Sequence, residues 1–176
     1  MQMDNEKELP KRKDIRLKNY DYSSPGAYFV TICTENRKNY FWNGSIDPQI
    51  FHWRSVGANC VRPQNLPLSD IGNIVLDELE RWNQTYPAVS LYSYVIMPNH
   101  IHAILILDEA VGACPRPTIS DIVCAYKSLT TRECKKVRPI DKLFQTSFYE
   151  HIIRNRDDYD EIAKYIYENP LCFVYQ

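Results

Sequence analysis

Two pairs of residues have types and spacings suited to bond-breaking chemistry. The first is His100 and His102, one residue apart inside the apolar run Val95-Ile96-Met97-Pro98-Asn99-His100-Ile101-His102-Ala103-Ile104-Leu105-Ile106-Leu107. On a β-strand, residues i and i+2 point to the same face. The two imidazoles therefore project side by side, while Ile101 enters the opposite layer. Two imidazoles on one rigid face make a start on a divalent-metal site. The second pair is Tyr165 and Asn169, four residues apart and so on one face of a helix. Tyrosine offers an oxygen nucleophile, and asparagine a carbonyl oxygen that binds hard or borderline cations. Packed over the histidines, that helix would complete a set of two imidazoles and one amide oxygen, with a tyrosine one turn away. Such a set suits phosphodiester transfer, with a cation to orient the phosphate and a hydroxyl to attack it and conserve the bond as a phosphotyrosine.

The elements that must position these residues follow from hydrophobic period and turn chemistry. Ala27 to Thr34 is rich in β-branched and aromatic residues and reads as a first strand. Ser69 is placed to cap a helix running to about Asn83, with Ile71, Ile74, Val75, Leu79 and Trp82 as its apolar stripe; Tyr86-Pro87 ends it. Val89 to Met97 is a second strand, Pro98-Asn99 a tight connection, and His100 to Leu107 a third strand, apolar on both faces and therefore central. Thr118 to Asp121 resembles a helix start, continued by Ile119, Ile122, Val123, Tyr126 and Leu129 at helical spacing to about Lys136. Phe148 to Ile153 is a fourth strand. Asp157 to Glu168 is a last helix that Asn169-Pro170 closes, which puts Asn169 at a helix end.

This order predicts an α+β domain with a ferredoxin-like antiparallel sheet, helices on one face and an additional C-terminal helix bearing Tyr165. Residues 1–22 read as a polar, basic arm and 23–176 as a single domain. Residues 43–67 read as an irregular insertion with no sustained period. Its Val56-Gly57-Ala58-Asn59-Cys60-Val61-Arg62-Pro63 resembles Val111-Gly112-Ala113-Cys114-Pro115-Arg116-Pro117, and both copies read as loops without chemistry; His52 in the same insertion reads as incidental.

At 176 residues and 44% hydrophobic composition the chain can bury one sizeable core. No apolar run approaches the roughly 18–20 residues of a membrane span, and Met1 to Lys18 lacks the apolar centre of a secretory signal, so a cytoplasmic location is expected. The six cysteines form no CxxC pair and read as free thiols rather than a zinc site. A net charge of −1 argues against wholesale coating of nucleic acid. It leaves room for two local basic clusters, Lys11-Arg12-Lys13 with Arg16 and Lys18, and Lys127, Arg132, Lys135, Lys136 with Arg138. Plainer readings exist for each feature. The clusters could be solvated faces, the histidines a hydrogen-bonded core pair, and most of the thirteen tyrosines structural. Among the rivals of Tyr165, Tyr167 points about 200° away around the helix and Tyr159 belongs to the apolar stripe. His151, on the fourth strand, reads as a structural or substrate-contacting histidine rather than a ligand.

His-hydrophobic-His on a strand followed by a Tyr-x-x-x-Asn helix resembles the HUH single-strand DNA nucleases, and most closely the REP-associated tyrosine transposases. The matching stretches are Tyr28 to Thr31, Tyr94 to His102, Ile119 to Val123 leading to Tyr126-Lys127-Ser128, and Phe148 to Asn155 running on to Tyr165-Ile166-Tyr167-Glu168-Asn169-Pro170. Together they cover roughly residues 20 to 172. The resemblance implies that Tyr165 is the nucleophile and that His100, His102 and Asn169 ligate magnesium or manganese. It implies a strand transferase that cleaves and rejoins single-stranded DNA at hairpins of repetitive extragenic palindromes, through a 5′-phosphotyrosine. Lys127, Arg132, Lys135 and Lys136 then gain a role as partners of hairpin phosphates, and exposed aromatics as platforms for unpaired bases. Two other readings keep the same fold, a catalytically inactive hairpin-binding protein and a metal-dependent phosphodiesterase without a covalent step. A homodimer and a monomer are both compatible with the sequence.

Overall fold

A computed structural model describes residues 20–47, 49, 51–55, 61–87, 89–109 and 117–174. In chain order the elements are β1 (Gly26–Cys33), a 3-10 turn (Glu35–Arg37), β2 (His52–Ser55), β3 (Val61–Gln64), α1 (Asp70–Glu80), α2 (Trp82–Thr85), β4 (Val89–Met97), β5 (His100–Leu107), α3 (Ile119–Val137), β6 (Tyr149–Ile153) and α4 (Arg156–Val174). Four strands form one sheet in the order β4-β5-β1-β6, every neighbour antiparallel. This is the expected ferredoxin-like arrangement, with the histidine strand β5 central.

The sheet buries both faces, which is why its middle strands carry almost no polar residues. Tyr28, Val30, Ile32, Ile101, Ala103 and Leu105 share one face and are wholly buried. Helices α1 and α3 cover that side: Tyr94 of the same face donates to Glu80 of α1, and Tyr126 of α3 donates to the Val75 carbonyl of α1. Each of the buried Val, Ile and Leu side chains contributes ~1.5–3 kcal/mol relative to exposure. The opposite face carries Phe29, Thr31, His100 and His102, and α4 lies across β4 and β5 there. Both core helices begin as their sequences dictate. Ser69 Oγ accepts from Gly72 N at 3.0 Å, and Thr118 forms a capping box with Asp121.

Three features differ from expectation. First, α4 does not stop at Asn169-Pro170 but runs on to Val174, with Pro170 inside it. Proline removes the bond to the Ile166 carbonyl and strains the preceding turn, at a cost of about 3 kcal/mol. Here Pro170 and Ile166 are both buried, and that packing offsets the local cost. Asn169 is thus a mid-helix residue. Second, the insertion is not wholly irregular: β2 and β3 pair as an antiparallel hairpin outside the main sheet, and Val61-Arg62-Pro63, read as loop, is part of it. Third, the helix expected to reach Asn83 breaks at Arg81 into α1 and the short α2.

Of the segment read as an arm, residues 1–19 and their basic cluster lie outside the described residues. Tyr20 and Tyr22 pack against the core, with the Tyr20 hydroxyl 3.1 Å from that of Tyr28. The second linker copy falls almost entirely outside the described residues as well. Cys33, Cys124, Cys134 and Cys172 are free thiols, and Cys60 and Cys114 lie outside the described residues. Among the described residues no helix is long and apolar enough to cross a membrane.

Helix α1 approaches the Phe41 backbone so closely that a Cβ at Gly72 would sit 2.1 Å from the Phe41 carbonyl oxygen. Ser69 N donates to that same oxygen at 2.8 Å, so the contact is fixed from both sides. Gly72→Ala is expected to destabilise the protein by ~1–3 kcal/mol through overpacking, measured as a lower urea midpoint at unchanged m-value.

Candidate active site

His100 opens β5 immediately after the Pro98-Asn99 turn, and the 34–41 segment pins that turn. Thr34 N and Oγ1 both donate to the Asn99 carbonyl, while Tyr40 N and Phe41 N both donate to the Pro98 carbonyl at 3.0 Å. In register, His100 faces Cys33 of β1 and Met97 of β4, and His102 faces Thr31 and Val95. The two imidazoles therefore emerge together on the face under α4, with Nε2 of one 3.1 Å from Nε2 of the other. Phe29 stacks on His102 at 5.3 Å between ring centroids.

The other ring nitrogen of each histidine is also engaged. Asn99 Nδ2 donates to the Arg37 carbonyl, which turns its Oδ1 toward His100 Nδ1 at 2.7 Å. That oxygen can only accept, so His100 carries its proton on Nδ1 and presents a lone pair at Nε2. Thr31 Oγ1 lies 2.9 Å from His102 Nδ1. A hydroxyl both donates and accepts, so His102 has two tautomers open to it. With the proton on Nε2 it donates to His100. With the proton on Nδ1 it donates to Thr31, and both Nε2 lone pairs then converge on one point. Two nitrogens ~2.1 Å from one metal ion at adjacent coordination positions are about 3 Å apart, so this pair fits a divalent cation. Outer partners that fix ligand tautomers are a regular part of such sites.

Burial makes both imidazoles poor bases. The first cause is desolvation for each. It lowers His100 to about 4, with the Arg37 charge adding to it, and lowers His102 to about 3, with His100 and Arg37 adding. Both are neutral at physiological pH, the form that can ligate a metal. Arg37, on the 3-10 turn, adopts a left-handed backbone (φ 55°), as does Asn36 (φ 53°).

Helix α4 brings Tyr165 to this pair. Its hydroxyl is 3.3 Å from His102 Nε2, its ring packs edge-on against His102 and Phe29, and half of the side chain remains exposed. The rival tyrosines point elsewhere, Tyr167 to Trp53 and Tyr159 to Tyr92. Asn169 follows one turn after Tyr165 and is half-buried. Among the described residues no group of three or more His, Cys, Asp or Glu could hold a metal. His151 is on the site face opposite Phe29 and binds Asp158 of α4 at 3.0 Å, tying the start of the tyrosine helix to the edge strand β6.

The basic residues of α3 have other neighbours. Lys127 donates to the Gln145 and Thr146 carbonyls, while Arg132 and Lys136 pair with Glu133, and Lys135 is exposed. Asn99, Thr31 and Arg37 were not singled out from the sequence. Asn99 adjoins His100, yet its role depends on which atom Arg37 holds, and Thr31 is recognisable only once the β1–β5 register is known.

No family model matches the chain. An uncharacterised protein of Haemophilus influenzae is 33% identical over 178 residues, spanning 92% of this chain and 89% of that protein. The chain belongs to the family of that protein. Among solved structures, that of the REP-associated tyrosine transposase bound to a REP hairpin aligns with 90% of this chain and 74% of its own. The identity is 20% and the TM-score 0.60, so the two share a fold.

In the metal-free protein the buried histidines make stability depend on pH. Unfolded histidine titrates near 6.5, against about 4 and about 3 in the fold. Between these values the unfolded chain binds more protons, so stability falls as pH drops from about 6.5 toward 3. Urea midpoints across that range should show a shallower fall for His102→Asn than for the wild-type chain.

Proposed function

We propose that the chain is a metal-dependent single-stranded DNA endonuclease and strand transferase that cleaves and rejoins hairpin-forming DNA through a covalent 5′-phosphotyrosine. The observation that carries this reading is the Tyr165 hydroxyl 3.3 Å from His102 Nε2, beside two imidazoles whose Nε2 atoms lie 3.1 Å apart. The shared fold with a tyrosine transposase bound to a REP hairpin supports it and favours a hairpin substrate.

His100, His102 and the Asn169 amide oxygen would hold Mg²⁺ or Mn²⁺. Bound there, the cation supplies Lewis-acid polarisation of a phosphate oxygen and orients the scissile phosphate. Asn99 and Thr31 hold the imidazole tautomers, and Phe29 fixes the planes of His102 and Tyr165. The Tyr165 oxygen forms a bond to phosphorus as the bond to the 3′ oxygen breaks. The phenolic proton passes to water at the half-exposed ring, and the departing 3′ oxygen takes a proton from water to leave as a hydroxyl. The phosphate remains joined to the 5′ side of the break and to the tyrosine. Attack by a 3′-hydroxyl reverses the step and rejoins the strand without a nucleotide cofactor. Arg37, whose charge reaches both histidines, and the exposed Arg132, Lys135 and Lys136 are the proposed phosphate partners. Lys127 is committed to backbone carbonyls. Tyr149, half-exposed beside Phe29 on the edge strand, is the aromatic placed to stack an unpaired base near the nucleophile.

A 5′-extended hairpin oligonucleotide incubated with Mn²⁺ and run on a denaturing gel tests the reading. A protein–DNA adduct is expected, falling to background in Tyr165→Phe. Cleavage without an adduct, undiminished in that variant, would instead identify a hydrolase. DNA that is bound yet uncut at every metal concentration would leave a binding protein. Asn99→Ala is expected to weaken Mn²⁺ binding 10–100-fold, measured by isothermal titration calorimetry with melting temperature as the control for folding.

A further inference from the structure

Helix α4 sits on the sheet with few deeply buried side chains of its own. Among the described residues Ile166 and Pro170 are the buried ones, whereas Tyr165, Tyr167 and Phe173 are each about half exposed. Its C-terminal half, packed on β4 and β5 through Ile166 and Pro170, also meets aromatic rings of the insertion. Trp53 of β2 stacks on Tyr167, two residues from the nucleophile position, with ring centroids 5.0 Å apart and planes within 28°. Phe51 braces Trp53 edge-on at 5.8 Å. At the base of the insertion Trp42 meets Phe173 edge-on at 5.6 Å, and its indole N–H is anchored on the Ile96 carbonyl of β4 at 2.8 Å. The neck of the insertion is closed by a bridge between Trp42 and Leu68 and by Asn43 N donating to the Pro67 carbonyl. Two tryptophans, Trp53 within the insertion and Trp42 just before it, thus contact one helix at Tyr167 and Phe173, six residues apart and both beyond Tyr165.

We propose that Phe51 and Trp53 at the β2 end of the insertion, with Trp42 at its neck, clamp the tyrosine helix, and that Trp53 is a positioning residue that keeps the Tyr165 hydroxyl over His102. The proposal rests on the strand-transfer reading above for its effect on catalysis, but the clamp itself is a matter of geometry. Aromatic pairs of this kind contribute beyond their buried area, and a misplacement of 1 Å at a reacting group costs up to about 10²-fold in rate. Trp53 acts through its ring face: its indole N–H has no hydrogen-bond partner among the described residues. A phenylalanine at this position therefore keeps what the contact uses.

The test compares Trp53→Ala, Trp53→Phe, Tyr167→Ala and the double variant Trp53→Ala/Tyr167→Ala on the full chain, with the hairpin oligonucleotide and Mn²⁺. Adduct formation in Trp53→Ala should slow ~10–100-fold at unchanged DNA affinity. Trp53→Phe should restore most of the rate, and the double variant should be no slower than the worse single one, because both remove one contact. Wild-type rates in Trp53→Ala, or losses that multiply in the double variant, would overturn the proposal. Hydrogen exchange is a second readout that needs no activity. In Trp53→Ala, amides of residues 162–172 should exchange faster while those of β1 and β5 keep their protection. If the wild-type chain forms no adduct, the strand-transfer reading fails and exchange alone decides the clamp: unchanged protection of α4 refutes it, selective loss sustains it.

Discussion

A slip of β5 by one residue against β1 would carry His100 and His102 to the face covered by α1 and α3, and bring Ile101 out under α4. The pairing of His102 with Thr31 is thus the constraint on which the rest of the site depends. The chain fixes it from two directions. Wholly buried Ile101, Ala103 and Leu105 hold one face inward, and the Pro98-Asn99 turn is tied at its carbonyls to Thr34, Tyr40 and Phe41. The same turn supplies Asn99, whose side chain sets the proton on His100. One short connection therefore determines strand register, ring orientation and tautomer together.

Placing two imidazoles 3.1 Å apart under a helix is costly in a low-dielectric setting unless both stay neutral. Burial enforces that neutrality, and the Thr31 hydroxyl makes it tolerable with or without a proton between the rings, since it can serve either tautomer of His102. A carboxylate in place of Thr31 would favour a protonated ring, and an alanine would leave Nδ1 without its partner.

Where a local rule and the packing agreed, the sequence was legible. β4 and β5 fall where the apolar runs and Pro98-Asn99 put them, and the i, i+2 argument placed both histidines on one face. Helix phase distinguished Tyr165 from Tyr167, and the structure turns only the former to the histidines. Where they conflicted, the local rule misled. Proline after Asn169 reads as a stop, yet burial of Ile166 and Pro170 carries α4 past it. The β2–β3 hairpin was hidden because each strand is only 4 residues long, too short to show a period, and Pro63 sits inside one of them. Thr31 and Asn99 were invisible because their importance lies in who stands opposite, a long-range fact that no window of sequence contains.

The two halves of the site differ in how they belong to the fold. The histidines are on the central strand of the sheet, inseparable from the core, whereas Tyr165 rides on a helix laid over that sheet late in the chain. Opening α4 would dismantle the site without exposing the core between the sheet, α1 and α3, so it draws on a smaller free energy than global unfolding. Foldedness and the assembly of this site are then separate quantities in this molecule. The balance between the assembled and the opened site is set by how α4 packs on β4 and β5 and by its two tryptophan contacts.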